Sequence, residues 1–344
     1  MKIRERRRLL DRNVLGNQVW SLLAFAILLV FNAFFTPIMF KLEIKDGHLF
    51  GSLIDILNRA APVMLMGIGM TLVIATGGID ISVGSVSAVS GSFTTVLLVV
   101  YGLPLGYSIV AGLAVATFLG LWNGFLVANI GVQPIVATLI MWVLARGIAT
   151  LFANGQTILF ENPRYEYIAN GFLFDLPFPI TIVAAVFILT QVLTRRTALG
   201  LFIESAGCNP VASRYSGVNV RMIKQMVYVF TAFCAGIAGL INTANIKVAD
   251  VTRSGDGLEL DAILAVVIGG TSLDGGKFSL AGTIIGAIVM QTLTTTILTN
   301  GVPVEVTRVI KALVVVFIVL IQSETFRVKI RGLFRRNPHE ASIR

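Results

Sequence analysis

The stretch from Ala75 to Ser85 reads A-T-G-G-I-D-I-S-V-G-S and separates two apolar runs, each long enough to cross a membrane. Glycine widens the range of backbone angles, and short Asp and Ser side chains accept hydrogen bonds from the free N–H groups at a helix end. Irregular backbone is tolerated at membrane depth only where it is buried in protein or faces water. We therefore predict a break between two helices near Gly77. The residues of the predicted break are Gly77, Gly78, Asp80 and Ser82.

Apolar residues dominate the chain on both sides of this stretch. Of the 344 residues, 56% are hydrophobic and only 13% are charged, whereas soluble domains carry about 25% charged residues. Apolar segments of roughly 20 residues recur along almost the whole length. We predict an all-α polytopic membrane protein with about ten transmembrane helices, the eighth of them short. Their predicted bounds are 19–40, 53–76, 83–101, 104–129, 134–153, 177–194, 224–246, 259–272, 279–299 and 303–323.

Basic residues are concentrated in three segments that this arrangement places on one side of the membrane. Residues 1–17 hold six Lys or Arg, residues 195–224 hold five and residues 327–344 hold six, out of 27 in the chain. By the positive-inside rule both termini are predicted to be cytoplasmic. This concentration of basic residues on one side accounts for the net positive charge of the chain. Nucleic acid is therefore not needed as a partner to explain that charge. The predicted divisions are a basic N-terminus at 1–18, a transmembrane domain at 19–325 and a basic tail at 326–344.

The longest connection on the basic side, residues 195–223, carries the signals of short helices. Asn209 suits the N-cap of a helix, Pro210 suits its first position, and Gly217 suits the residue after its end. We predict one helix near 210–216 and a second around Leu201 to Ser205. Short ordered helices would form a docking surface. The alternative is a loop that only orients the protein.

Three signatures taken together resemble one family. The connection contains R-T-A-L-G, A-G-C-N-P and S-G-V-N; residues 71–85 read T-L-V-I-A-T-G-G-I-D-I-S-V-G-S; and residues 260–276 read L-D-A-I-L-A-V-V-I-G-G-T-S-L-D-G-G. In this order they resemble the permeases of sugar-type ABC importers, the ribose-transporter family, over nearly all of residues 19–325. Within that family, L-F-G-S-L-I-D-I-L-N-R-A-A-P-V at 49–63 looks most like the permeases of bacterial galactofuranose importers.

The resemblance implies a multi-pass subunit of the bacterial inner membrane, surrounded by lipid, that imports a monosaccharide by alternating access. A separate ATP-binding subunit would use ATP and Mg, and a periplasmic sugar-binding protein would deliver the sugar. A second permease, either a homologous chain or another copy, would complete the transporter. Residues 195–223 would carry the coupling helices, so we name this segment the coupling loop. Its candidate contact residues are Leu201, Glu204, Ser205, Gly207, Asn209, Pro210, Ser213, Arg214 and Gly217.

The late signature repeats the pattern of the opening stretch. V-V-I-G-G-T-S-L-D-G-G at 266–276 is similar to V-I-A-T-G-G-I-D-I-S-V-G at 73–84, and paired Gly-interrupted segments point to the pathway of a transporter. The late stretch also looks like a phosphate-binding loop, but the spacing fails because Thr271 and Phe278 occupy required positions. The chain is therefore predicted to be no enzyme and to bind no nucleotide itself. The residues of this second predicted break are Gly269, Gly270 and Asp274.

Several polar side chains lie inside the predicted spans, where they are costly unless they face protein or water. Asp55 shares one face of its span with Asn58 and Arg59, which either line an outer vestibule or pair locally. A sugar is neutral and needs hydrogen-bond partners more than charges. The candidates for the translocation path are Asn58, Arg59, Asn123, Arg146, Asn242 and Gln291.

Three charged residues recur every third position in the tenth predicted span. Glu305, Arg308 and Lys311 share one helical face, which should therefore meet protein or water instead of lipid. Asp261 and Glu259 open the eighth predicted span and are expected to pair with this face, where structural ion pairing is the favoured role.

Two other classes of function stay open from the residues alone. An ion-coupled secondary sugar transporter would use a carboxylate deep in the spans, and Asp80 is the main candidate. An integral-membrane enzyme would need an acid–base pair or a set of metal ligands, and the sequence has neither spacing. Cys208 and Cys234 are too few and too differently placed to predict a disulfide framework or a metal site.

Overall fold

A computed structural model describes residues 22–45, 48–173 and 175–322 of the chain. The basic N-terminus predicted at 1–18 and the basic tail predicted at 326–344 lie outside the described residues. Helices make up most of the described chain. They are α1 (Leu22–Phe35), α2 (Ser52–Ala75), α3 (Val83–Val99), α4 (Leu105–Phe125), α5 (Pro134–Phe152), α6 (Pro163–Asn170), α7 (Phe178–Arg196), α8 (Leu199–Cys208), α9 (Pro210–Tyr215), α10 (Val220–Ile246), α11 (Leu258–Ile268), α12 (Leu280–Thr299) and α13 (Val304–Gln322).

Short strands in the connections correct the all-α prediction. Three two-stranded antiparallel sheets are present among the described residues. A 3₁₀ helix lies at Pro37–Phe40, and a π-helix at Leu126–Ile130 continues α4. One pair ties the connection after α5 to the connection after α10. The strands are β1 (Leu42–Lys45) with β2 (His48–Gly51), β3 (Ile158–Leu159) with β6 (Val248–Ala249), and β4 (Phe172–Leu173) with β5 (Leu176–Pro177).

Each of the ten predicted spans overlaps a helix of the described chain. Six helices, namely α2, α4 with its π-helical end, α5, α7, α10 and α12, are long and apolar enough to cross a membrane by length and composition. The chain is thus a polytopic membrane protein, and the full count of ten spans stays a prediction. The eighth predicted span, 259–272, was wrong in extent, because α11 ends at Ile268 and contains only 11 residues.

The core lies where α2, α3 and α10 meet α4 and α12. The three central helices are buried along most of their length, whereas α4, α5 and α7 turn an apolar face outward. Small residues allow the close packing: a Cβ on Gly69 of α2 would lie 2.7 Å from the Cα of Thr231, which belongs to α10. A hydrogen bond of 2.7 Å between the hydroxyls of Thr71 and Thr283 joins α2 to α12.

Helix α11 is half the length of its neighbours. At 1.5 Å per residue it is about 16 Å long, against a hydrocarbon thickness of about 30 Å. Its C-terminal end packs against the start of α12, where Gly269 leaves no room for a Cβ beside Gly282. Its N-terminal end packs against Gly84 in the first turn of α3. Helix α11 alone is therefore too short to cross the hydrocarbon core, and a buried irregular segment that includes Val251 and Ser254 leads to it, as is tolerated inside protein.

Candidate functional site

The coupling loop folds as two short helices held together by side-chain caps. The side chain of Asn209, between α8 and α9, accepts hydrogen bonds from the backbone N–H groups of Val211 and Ala212 at 3.1 and 3.0 Å. The hydroxyl of Ser213 donates to the carbonyl of Ser205 at 2.8 Å and so joins α9 to α8. The helix predicted near 210–216 is confirmed at Pro210–Tyr215, with Gly217 in the left-handed region (φ 83°) just after it. The helix predicted around 201–205 is confirmed but longer, as α8.

The loop presents an apolar surface to its surroundings. Leu201 is 67% exposed, Val211 is 60% exposed and Tyr215 is 90% exposed. Only Leu201 was predicted as a contact residue. The spacing of Val211 and Tyr215, four residues apart on one short helix, was the signal that could have found the other two. These three side chains, which we name the apolar loop surface, form the part of the loop best suited to burial against another protein.

Charges border the apolar loop surface. Arg214 is exposed on α9, and Glu204 is half-buried on α8. Burial raises the pKa of the Glu204 carboxyl above its usual value, and the positive charges of Arg195 and Lys277 oppose that shift. Lys277, which the sequence did not single out, lies between α11 and α12. The positive charge of Lys277 therefore acts on Glu204 from the segment that contains the second predicted break.

The two glycine-interrupted stretches meet at the coupling loop. The N–H of Gly276 donates to the carbonyl of Ala75 at 2.8 Å, at the end of α2. A Cβ on Gly275 would lie 3.0 Å from the N of Gly77. Gly207 of α8 packs on the same spot, where a Cβ would lie 2.6 Å from the N of Gly276 and would overlap the Ala75 carbonyl. We name Gly77, Gly207, Gly275 and Gly276 the glycine junction; through it α8 contacts both stretches at the backbone.

Helix ends and irregular backbone surround the glycine junction. Helix α2 ends at Ala75 and α3 begins at Val83, with Gly77 in the left-handed region (φ 76°) between them. Helix α11 is followed by Gly269 and by Gly270 (φ 86°). Farther along the same segment, the N–H of Asp274 donates to the Ser272 hydroxyl at 3.3 Å. That membrane helices are broken near Gly77 and Gly269 stays a prediction.

A buried polar network includes two residues of the first glycine-interrupted stretch. One carboxylate oxygen of Asp80 accepts hydrogen bonds from the N–H and the hydroxyl of Ser82, at 2.9 and 2.6 Å. The amide of Asn123, on α4, donates to the Ser82 hydroxyl at 2.9 Å. Each of the three side chains is at most 1% exposed. Asn123 therefore belongs in this conformation to the network that holds α3 against α4, and it does not line an open path.

The other path candidates do not converge on one point. Asn58 donates to the carbonyl of Ala169 at 3.3 Å, in the short helix α6. Arg146 donates to the carbonyl of Ser254 at 2.6 Å, in the segment that leads to α11. The remaining candidates differ in exposure. Arg59 is exposed, whereas Asn242 and Gln291 are half-buried.

The charged face of α13 pairs with the region around α11. The Nζ of Lys311 lies 2.8 Å from a carboxylate oxygen of Asp261, as predicted, and a guanidinium nitrogen of Arg308 lies 3.0 Å from a carboxylate oxygen of Asp256. The expected pairing of Glu259 with this face was wrong. Glu259 is buried and packs against Gly84 of α3, because it lies on another side of α11.

Comparisons with known proteins agree on one family. The family described as "branched-chain amino acid transport system / permease component" matches residues 52–319. The galactofuranose transporter permease protein of Escherichia coli is 47% identical over 317 residues, which cover 92% of this chain and 93% of that protein. The fructose import permease protein of Bifidobacterium longum is 41% identical over 314 residues, 90% of this chain and 88% of that protein. The ribose import permease protein of Escherichia coli is 35% identical over 308 residues, 88% of this chain and 93% of that protein.

Proposed function

This chain belongs to the family of branched-chain amino acid transport system permease components, and on that premise we propose that it is the transmembrane permease subunit of an ABC importer for a monosaccharide. The resemblance to the ribose-transporter family drawn from the three signatures is confirmed. The relatives named above are import or transporter permeases for sugars, and their alignments extend over nearly the full length of both partners.

One structural observation carries the mechanism that we propose. The glycine junction puts α8 in backbone contact with the end of α2 and with the segment between α11 and α12. A displacement of α8 by a docked partner would therefore move both helix ends together, without a flexible side chain between them. In this proposal, ATP binding and hydrolysis in the partner move the coupling loop, and the helices open first to one side of the membrane and then to the other.

The apolar loop surface is the proposed docking site of the ATP-binding subunit. That subunit would bind and hydrolyse ATP with Mg, and this chain would contribute no residue to the chemistry. A sugar-binding protein would dock on the opposite side, and a second permease, the same chain or a homologous one, would complete the membrane part. The inner membrane of a bacterium is the proposed location, with both termini in the cytoplasm, in keeping with the basic segments.

Galactofuranose is the sugar that we propose. The support is the identity of 47% with a galactofuranose transporter permease, compared with 41% and 35% for the fructose and ribose permeases. In this proposal, selection among sugars rests largely with the binding protein.

Co-purification tests the proposed function. The tagged chain is extracted in mild detergent, and its partners are identified by mass spectrometry. We expect the native chain to retain an ATP-binding subunit, and a Val211→Asp/Tyr215→Asp variant to lose it because two charges replace an apolar surface. A Glu204→Ala/Arg214→Ala variant is expected to weaken the complex or to uncouple ATP hydrolysis from sugar uptake.

Leu159→Asp is the matched control. Leu159 is 72% exposed on β3, away from the coupling loop, and its variant should retain the ATP-binding subunit. Recovery of no ATP-binding subunit with the native chain would overturn the proposed function.

A further inference from the structure

An apolar cavity of about 120 Å³ lies beside the coupling loop, between α2, α7, α8 and α10. Of the ten described residues that line it, eight are apolar and two are threonines of α7. Both threonine hydroxyls donate within that helix, Thr190 to the carbonyl of Val186 at 2.7 Å and Thr194 to the carbonyl of Thr190 at 2.8 Å. Buried water needs about two to four polar partners, whereas apolar cavities of about 150 Å³ stay dry and accept apolar molecules. The cavity is therefore suited to hydrocarbon.

The cavity lies at the end of the bundle that carries the coupling loop. Leu72 is in the last turn of α2, Thr194 is in the last turn of α7, and Ile223 is in the first turn of α10. All three helices are long and apolar enough to cross a membrane. Because a transmembrane helix ends near the headgroup layer, the cavity lies among the acyl chains just beneath the headgroups on the loop side.

The cavity opens between α7 and α10. Its lining residues Leu193 and Met226 are 37% and 46% exposed, whereas the Thr194 side chain is buried behind them. Exposed apolar side chains continue from this mouth along each helix, at Leu189 on α7 and at Phe233 on α10. An acyl chain that lies against these two helices can therefore enter the cavity sideways.

An exposed positive charge borders the mouth of the cavity. Arg196 follows Leu193 by three positions, so the two side chains lie on one face of α7. The charge of the adjacent Arg195 acts on Glu204 of α8. Basic residues beside a pocket between membrane helices on the cytoplasmic side bind the headgroups of anionic lipids. The charge thus favours an anionic lipid over a zwitterionic one and over the apolar face of another protein.

We propose that this cavity binds one acyl chain of an anionic phospholipid, whose phosphate contacts Arg196. The chain fills the space between the four helices, and the guanidinium group holds phosphate oxygens through two parallel hydrogen bonds. The rest of the lipid stays in the leaflet next to the coupling loop, so its entry requires no passage through water. Such a lipid is a ligand of one site and differs from the lipid that surrounds the whole bundle.

Photolabelling tests the cavity. The complete transporter in mild detergent receives phosphatidylglycerol with a diazirine near the end of one acyl chain, and the labelled peptides are identified by mass spectrometry. We expect label on the cavity-lining segments 190–194 and 223–230. Met226→Trp should lower that label at least fivefold, because an indole closes the mouth. Met222→Trp is the matched control and should leave the label unchanged, since Met222 is exposed one turn earlier on α10 and lies outside the cavity lining.

The choice of lipid tests the headgroup contact. Phosphatidylcholine with the same diazirine chain should label the cavity about fivefold less, which is the factor that one basic residue contributes near an anionic surface. Arg196→Gln should abolish that preference. Arg221→Gln should keep it, because Arg221 is exposed at the same end of the bundle but lies two positions from Ile223, on another face of α10.

Three results would overturn the lipid site. The first is equal labelling of the native transporter by the two lipids, and the second is labelling that Met226→Trp leaves unchanged. The third is label that appears on the separated chain and disappears in the complete transporter, because the second permease would then cover the mouth.

Occupancy should also hold the coupling loop in place, an effect that rests on the proposed function. Ile203 of α8 lines the cavity, and Gly207, one turn later, belongs to the glycine junction. In proteoliposomes, phosphatidylglycerol in place of phosphatidylcholine should raise the D-galactose moved per ATP at least twofold for the native chain, and not for Arg196→Gln. An unchanged ratio in the native chain would refute this effect. A complex that hydrolyses ATP but moves no D-galactose, D-fructose or D-ribose would overturn the proposed function, independently of the labelling.

Discussion

Single atoms decide how the coupling loop touches the rest of the molecule. Gly207 can approach the carbonyl of Ala75 and the N–H of Gly276 only because it lacks a Cβ. A side chain there would push α8 away from the end of α2. The contact thus depends on a hydrogen atom at the position where other residues carry a Cβ. A substitution by alanine would remove the contact without changing any charge.

Gly207→Ala should uncouple the transporter. The added methyl group would overlap the Ala75 carbonyl, so α8 must shift. We expect ATP hydrolysis by the reconstituted complex to continue while sugar uptake per ATP falls at least tenfold. Gly147→Ala is the control, because nothing lies within 4 Å of a Cβ at that helical position. Uptake per ATP equal to that of the native chain in Gly207→Ala would refute the role of the glycine junction.

Ser82→Ala should destabilise the protein through the buried network. The change removes one hydrogen bond to Asp80 and leaves the amide of Asn123 without its acceptor. A buried polar group left unpaired costs about 1–3 kcal/mol. Thermal unfolding in detergent should show that loss. Thr299→Ala, which removes an exposed hydroxyl bonded within its own helix, should unfold within about 0.5 kcal/mol of the native chain.

The positions of the long helices follow from the apolar runs of the sequence. Where such a run predicted a helix wrongly, the cause can be identified. Long apolar segments placed α2, α4 and α10 correctly because membrane thickness sets their length. The window that predicted α11 failed because its last residues, from Gly269, are apolar or small but turn away from the helix. An apolar segment of sequence indicates burial in lipid or protein, but it does not indicate whether the buried backbone is helical.

Pairing between helices was only partly predictable. The three-residue spacing on α13 identified one charged face, and Asp261 was found as its partner. Arg308 pairs with Asp256, in a loop that the helical pattern does not include. Asn123 and Ser82 are 41 positions apart and meet only because α3 and α4 pack together. Spacing along a helix defines a face but not the neighbour of that face.

Lys311→Met should weaken the attachment of α13 to α11. It leaves the largely buried carboxylate of Asp261 unpaired, and loss of one partner of a buried pair costs about 3 kcal/mol. The double variant Asp261→Asn/Lys311→Met should recover most of the stability measured by thermal unfolding. Arg308→Met, in a pair whose side chains are 75% and 45% exposed, should cost about 1 kcal/mol or less. A double variant as unstable as the single one would contradict this account.

The whole molecule has one side defined by the coupling loop and another defined by the β3–β6 pair. The distribution of basic residues predicts that the loop side faces the cytoplasm. The two cysteines report on this orientation, because Cys208 is exposed in the loop and Cys234 is buried in α10.

Cys208 should react with a membrane-impermeant maleimide in inside-out vesicles and not in right-side-out vesicles. Cys234 should stay unmodified in both until the protein is unfolded, since it is buried. In our proposal the ATP-binding subunit docks beside α8, so its presence should slow modification of Cys208. Cys208→Ser should abolish the signal. Rapid labelling of Cys208 in right-side-out vesicles would show that the protein has the opposite orientation to the one that we assign.

The central position of α10 has a consequence for biosynthesis. Helix α3 packs against α10, where Gly91 leaves no room for a Cβ beside Thr243, yet α4 to α9 are all synthesised between the two. At bacterial translation speeds that interval lasts about ten seconds. During it the serines of α3 lack their final neighbours in the membrane. Substitutions that delay insertion of α10 should therefore reduce the amount of protein through degradation of the nascent chain, while molecules that complete the bundle transport normally.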